Sequence, residues 1–108
     1  MSVSYVVTPP RYMQIVYDND AILIDLDLSR QRINEEVLEK YNVVAHQLFV
    51  LQADSEAYIR INRMDGPLIP IGTGDSFQFI EVKRLYVTNP PGTGRLKILL
   101  LYRREEYL

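Results

Sequence analysis

The chain has 108 residues, a formal net charge of −2 and no cysteine. That length suits one domain with its own core, and the missing cysteine removes disulfides, thiolate metal sites and thiol nucleophiles together. The 12 basic residues are offset by 14 acids scattered along the chain, so the basic surplus with which duplex-binding domains displace counterions is absent and nucleic acid is not an expected partner.

The opening MSVSYVVTPP has neither a basic start nor a long apolar run, which speaks against a signal peptide. No apolar stretch approaches the ~18–20 residues that span a bilayer. The expectation is a soluble, unprocessed protein of a reducing cytoplasm, or of a particle assembled there, with no membrane partner.

Along the chain, apolar alternation dominates and turn residues separate the runs. Val3–Val7 reads as an opening strand, ended by Pro9-Pro10, which cannot sit inside a paired ladder. Tyr12–Tyr17 follows, then the turn Asp18-Asn19-Asp20. Ala21–Leu28 is the cleanest period-two run of the first half: Ile22, Ile24, Leu26 and Leu28 share one face, and Asp25 and Asp27 point the other way.

The polar segment Ser29–Tyr41 changes character. Ile33, Val37, Leu38 and Tyr41 recur at helical spacing, which predicts a short helix around 30–41 capped by Ser29 or Asn34, or else an extended loop carrying one helical turn. Val43–Ala53 returns to strand chemistry, Asp54-Ser55-Glu56 makes a turn, and Ala57–Asn62 alternates strictly. In that run Ala57, Ile59 and Ile61 face inward, and Tyr58, Arg60 and Asn62 face outward. Asp65-Gly66-Pro67 is turn chemistry, and loops rich in Pro and Gly flank the stub Leu68–Ile71. Ser76–Val82 is a strand whose phase slips after Phe79, which a β-bulge would repair. Arg84–Thr88 and Arg95–Arg103 close the chain. Single domain 1–108, all-β, a jelly-roll-like β-sandwich of about seven to nine short strands, is the resulting expectation.

Between the last two strands lies NPPGTGRL, Asn89–Leu96, which looks like a phosphate-binding loop. In that motif backbone amides wrap the phosphates, a lysine reaches them, a hydroxyl holds magnesium, and a helix follows. Here Asn89 takes the place of the first glycine, Arg95 of the lysine and Leu96 of the hydroxyl residue, and Leu96, Ile98, Leu100 and Tyr102 alternate as a strand. A hairpin loop is expected instead, with two glycines supplying positive φ.

Other chemistry is sparse. Asp25 and Asp27 lie about 6.7 Å apart on one strand face, a spacing that alternation alone produces. Asp18-Asn19-Asp20 starts like a calcium loop, but Ile22 stands at its fifth position and no glycine follows. His46 is the single histidine, too few for a cupin-like metal centre. No catalytic residue, metal site or cofactor is predicted, and the protein is expected not to be an enzyme.

The interface candidates are of two kinds. Tyr58, Arg60 and Tyr86 should project from one sheet as an aromatic and cationic platform, of the sort shared by protein interfaces and carbohydrate sites. Phe49 and Leu51, and likewise Leu99 and Leu101, fall on the parity opposite the core, so two strands are apolar on both faces. A sheet wet on one side does not tolerate that. The cover could be the 29–41 segment, the N-terminal strand or another subunit, and a homo-oligomer or larger assembly is expected.

In order along the chain, AYIRIN (Ala57–Asn62), the Pro/Gly loop and strand of Ile69–Phe77, and RLYVTNPPGTGRLKILL (Arg84–Leu100) resemble small virion structural proteins of tailed bacteriophages. The likeness spans residues 53–101, about half the chain, and its motifs are turns and core positions. It implies a β-sandwich that builds or decorates a viral particle, as a capsid or tail component, through contacts with itself and with other virion proteins. The alternative reading is a β-sandwich module that binds a glycan or a protein through the Tyr/Arg face.

Overall fold

The computed structural model describes residues 15–107, with side chains described for residues 20–103 except Phe79. The predicted strand Val3–Val7, the Pro9-Pro10 break and the start of the Tyr12–Tyr17 run lie outside the described residues. Those residues form eight strands: β1 (Ile15–Asp27), β2 (Arg32–Glu36), β3 (Ala45–Ala53), β4 (Ala57–Ile61), β5 (Ile69–Ile71), β6 (Ser76–Val82), β7 (Leu85–Asn89) and β8 (Arg95–Tyr107). One sheet has the order β1-β8-β3-β6 and the other β2-β7-β4-β5, and every neighbouring pair is antiparallel. This is the wiring of a jelly roll, two sheets of four strands with nearly every connection crossing between them. The fold is all-β, as the alternation predicts. No helix among the described residues is long and apolar enough to cross a membrane.

Burial follows parity. Ile22, Ile24, Leu48, Val50, Leu96, Ile98 and Leu100 of the first sheet face Ala57, Ile59, Ile71, Leu85 and Val87 of the second. Each fully buried Leu, Ile or Val contributes about 1.5–3 kcal/mol of transfer free energy, so this interior holds the two layers together. The expected bulge in β6 is present. Between Gln47↔Gln78 and Ala45↔Val82 the partner strand advances by more residues than β3 does, which lets both Phe77 and Val82 pack on the core.

Three expectations are corrected. Asp18-Asn19-Asp20 is not a turn: β1 runs unbroken through it. The register sets Asp18 opposite Arg104 and Asn19 opposite Arg103 of β8, a long-range pairing that overrides the local turn preference of Asp and Asn. The segment around 30–41 holds no multi-turn helix. It forms β2 against β7, then one turn of 3-10 helix at Glu39–Tyr41, as the extended alternative anticipated.

Neither Ser29 nor Asn34 caps that turn. Asn34 sits in β2 at φ 49°, and the Glu36 carboxylate accepts the amides of Leu38, Glu39 and Leu85. The expected apolar face splits accordingly: Val37 and Leu38 are buried, whereas Ile33 and Tyr41 are exposed. Thirdly, the PPGTG loop does not close a hairpin, because β7 and β8 belong to different sheets.

Candidate functional site

The parity of β8 divides its leucines. Leu96, Ile98 and Leu100 are fully buried, so Leu99 and Leu101 project from the outer face of the β1-β8-β3-β6 sheet and are half-buried there. Register aligns Leu23 of β1, Leu99 of β8 and Phe49 of β3 in one row across three strands, with Ala21, Leu101 and Gln47 in the next. Leu23 and Leu51 are each 50% exposed. The two-faced apolar strands expected of β3 and β8 are therefore present. Of the covers considered, the 29–41 segment is committed to the other sheet, and the N-terminal strand lies outside the described residues.

The outer face of the second sheet carries Tyr58, Arg60 and Tyr86, all half-buried, with Arg60 directly opposite Tyr86 in the ladder. Tyr58 and Arg60 are engaged within the chain. Arg60 Nε donates to Asn34 Oδ1 at 3.0 Å, and its Nη1 donates to the Gly66 carbonyl. The Tyr58 hydroxyl donates to Glu56, a bond that raises the pKa of the phenol above its ordinary value. Thr88 Oγ1 and the Asn34 amide complete the cluster. This face is a cross-strand polar network that holds the irregular β2 strand to β7 and β4, and less of its hydrogen-bonding capacity is left for a ligand than the bare residue types suggest.

The PPGTG loop is occupied by the protein itself. Gly92 N donates to Leu28 O at 2.8 Å, Thr93 N to Ser55 Oγ at 3.2 Å and Arg95 N to Asp54 Oδ2 at 2.8 Å. These amides are thus spent on the chain's own acceptors, the last of them on a carboxylate. Only Gly94 takes a positive φ, 82°, and Gly92 is needed for a different reason: a Cβ there would lie 2.3 Å from Ser55 Oγ.

Next to this loop is a buried polar cluster that alternation alone does not announce. Arg32 is 5% exposed and Asn89 1%. Arg32 Nη1 donates to Asp27 O at 2.7 Å and to Asn89 Oδ1 at 3.3 Å, and Asn89 Nδ2 donates to Arg30 O at 2.9 Å and Pro90 O at 2.8 Å. Arg32 Nε makes no hydrogen bond of good geometry; its charge is answered by Glu35 Oε2 at 3.4 Å. The inward parity Leu85, Val87, Asn89 is the one sequence signal that points to the asparagine.

The remaining candidates have structural duties. Asp25 pairs with Arg95 at 2.8 Å, and Asp27 accepts the Ser29 amide at 2.9 Å, which lowers its pKa. His46 is exposed on β3 beside shallow clefts shared with Gln47 and Arg103. Asn62, which ends AYIRIN, sits at φ 67° and accepts the amides of Lys83 and Arg84 while donating to Glu81 O, so that motif is a strand-end clasp.

Asp54 carries a pH consequence. The Arg95 amide, and then Gln52, hold its carboxyl below the ordinary 3.8. A native pKa lower than the unfolded one contributes stability that is present above 3.8 and is lost as pH falls through the lowered native value. Asp54→Asn is therefore expected to flatten the acid limb of the stability profile, measured by urea unfolding at about pH 2–5, and to change its slope little near neutrality.

No protein-family model, curated protein or solved structure matches this chain.

Proposed function

We propose that this chain is a non-enzymatic structural protein of a phage or virus-like particle, a capsid or tail component that works through subunit–subunit contacts. The observation that carries this reading is the apolar row Leu23–Leu99–Phe49 on the outside of a sheet whose inner face is already filled. A contiguous outward apolar surface on a small domain is costly unless a neighbour covers it. Jelly-roll wiring is shared with viral capsid domains, although lectins and cupins use it too. Partners on this reading are other copies of the chain and other virion proteins. Nucleic acid, membrane and cofactor play no part, and the protein resides in the virion after assembly in a host cytoplasm.

Light scattering at micromolar concentration tests the reading. The wild-type protein is expected to form a defined oligomer, and Leu99→Asp to weaken it at least about tenfold while leaving the β-sheet circular dichroism unchanged. A wild-type monomer at those concentrations overturns the proposal. Capsid, portal or tail genes on either side of the coding sequence would place the contacts in a particle.

A further inference from the structure

The four sheet edges of this sandwich are unequally protected. An edge strand exposes a row of backbone N–H and C=O groups that templates further pairing, and proteins blunt it with shortness, proline, bulges or charged side chains, lysine above all. β5 has three residues, one of them Pro70. β6 carries its bulge opposite Ala45–Gln47. β2 has five residues and a register shift between Arg32 and Glu35. β1 is neither short, bulged nor broken by proline: it runs for 13 residues in unbroken register, and the charges in IVYDNDAILIDLD are four aspartates with no lysine or arginine.

Two hydrogen bonds show which backbone groups look outward. Leu28 N donates across to Gly94 O, whereas Ala21 N donates to the carboxylate of its own neighbour Asp20 at 2.8 Å. Even-numbered residues of β1 thus turn their amides to β8, and odd-numbered Leu23 and Asp25 turn N–H and C=O to the open side. The Asp20 carboxylate stands where the carbonyl of an added strand would be. Beside this edge runs a groove whose far wall is the Glu35–Tyr41 segment. Two exposed apolar side chains line it, Leu23 at 50% and Tyr41 at 39%.

We infer that β1 pairs antiparallel with β1 of a second copy of this chain, across a two-fold axis at Leu23, joining two four-stranded sheets into one. The inference rests on the self-association proposed above and names its edge and register. Centring on Leu23 matches outward amides to outward carbonyls and leaves no acid opposite an acid: Asp25 faces Ala21, Asp27 faces Asn19 and Asp20 faces Leu26. It also joins the row Phe49–Leu99–Leu23 directly to its mate, so the two apolar patches become one. The overlap of residues 19–27 is about 30 Å long, and two layers about 10 Å apart with their side chains present roughly 500–600 Å² per copy. The total reaches the ~1,000 Å² expected of a specific interface.

A residue on the axis faces itself with Cα atoms about 5.5 Å apart, within disulfide range. The chain has no cysteine of its own, so a single introduced thiol reports cleanly. Leu23→Cys is expected to give a disulfide-linked dimer under mild oxidation at least about tenfold faster than Met64→Cys, a control at an equally exposed loop position. Leu23→Pro removes an edge donor that the β1–β8 ladder does not use, and is expected to yield a folded monomer. An oligomeric wild type whose Leu23→Cys variant links no faster than Met64→Cys overturns the edge pairing and leaves association through the sheet face standing. A monomeric wild type overturns both. If Leu23→Pro fails to fold, the cysteine comparison decides.

Discussion

Replacing Asn89 with alanine is expected to lower the unfolding free energy by about 2–4 kcal/mol, out of the roughly 5–15 kcal/mol typical of a domain this size. The buried side chain donates to the partly buried carbonyls of Arg30 and Pro90 and accepts from the buried Arg32. Truncation takes the donor from two partly buried acceptors and a partner from a buried cation, and leaving such groups unmatched costs more than the bonds were worth. The loss should appear in urea titrations as a lower midpoint at unchanged slope. A change under about 0.5 kcal/mol, the level of an ordinary surface substitution, would mean that water enters and satisfies the cluster.

Leu100→Ala is expected to cost about 3–5 kcal/mol, and Leu99→Ala about 1 kcal/mol or less in the isolated subunit. Adjacent in sequence and identical in chemistry, the two leucines differ only in the face they occupy. Leu100 is wholly enclosed, between Ile22 and Leu48 across the ladder, so its removal opens a cavity that rigid strands cannot close. Leu99 already meets solvent along part of its surface. Equal losses at the two positions, measured by chemical denaturation at a concentration where the protein is monomeric, would contradict the parity on which the proposed interaction surfaces depend.

Much of the sandwich was legible because period-two alternation is a direct consequence of one wet and one dry face. Ala57–Ile61 and Leu85–Asn89 carry that signal plainly, and even the phase slip after Phe79 correctly announced a bulge. What misled was local chemistry outvoted by partners distant in sequence. Asp18-Asn19-Asp20 has the composition of a turn but is paired in register with β8, and Ile33, Val37 and Leu38 have helical spacing but lie in and after a strand held by β7 and Glu36.

The candidate surfaces were partly readable. Apolar residues on both parities of β3 and β8 announced a second, outward apolar face, and the structure puts Phe49, Leu99 and Leu101 on it, with Leu51 exposed at the register shift between Val50 and Gln52. The Tyr58–Arg60–Tyr86 face was predicted by position, but its internal bonds to Glu56, Asn34 and Gly66 were not, because Asn34 and Gly66 reach it through irregular backbone. The Arg32–Asn89 cluster was hidden for the same reason: its acceptors are main-chain carbonyls, which residue types do not reveal.

β8 is the last of the eight strands in chain order, yet it lies inside its sheet, between β1 and β3, while β4 and β5 alone are both consecutive and paired. The layer that bears the outward leucines therefore cannot close until the two ends of the described chain have found each other. Assembly of this fold is a late, nonlocal event, on the millisecond-to-second scale usual for such topologies. Until it happens β3 has neither its central neighbour nor a finished surface to offer, so the self-association proposed above must wait for the completed monomer.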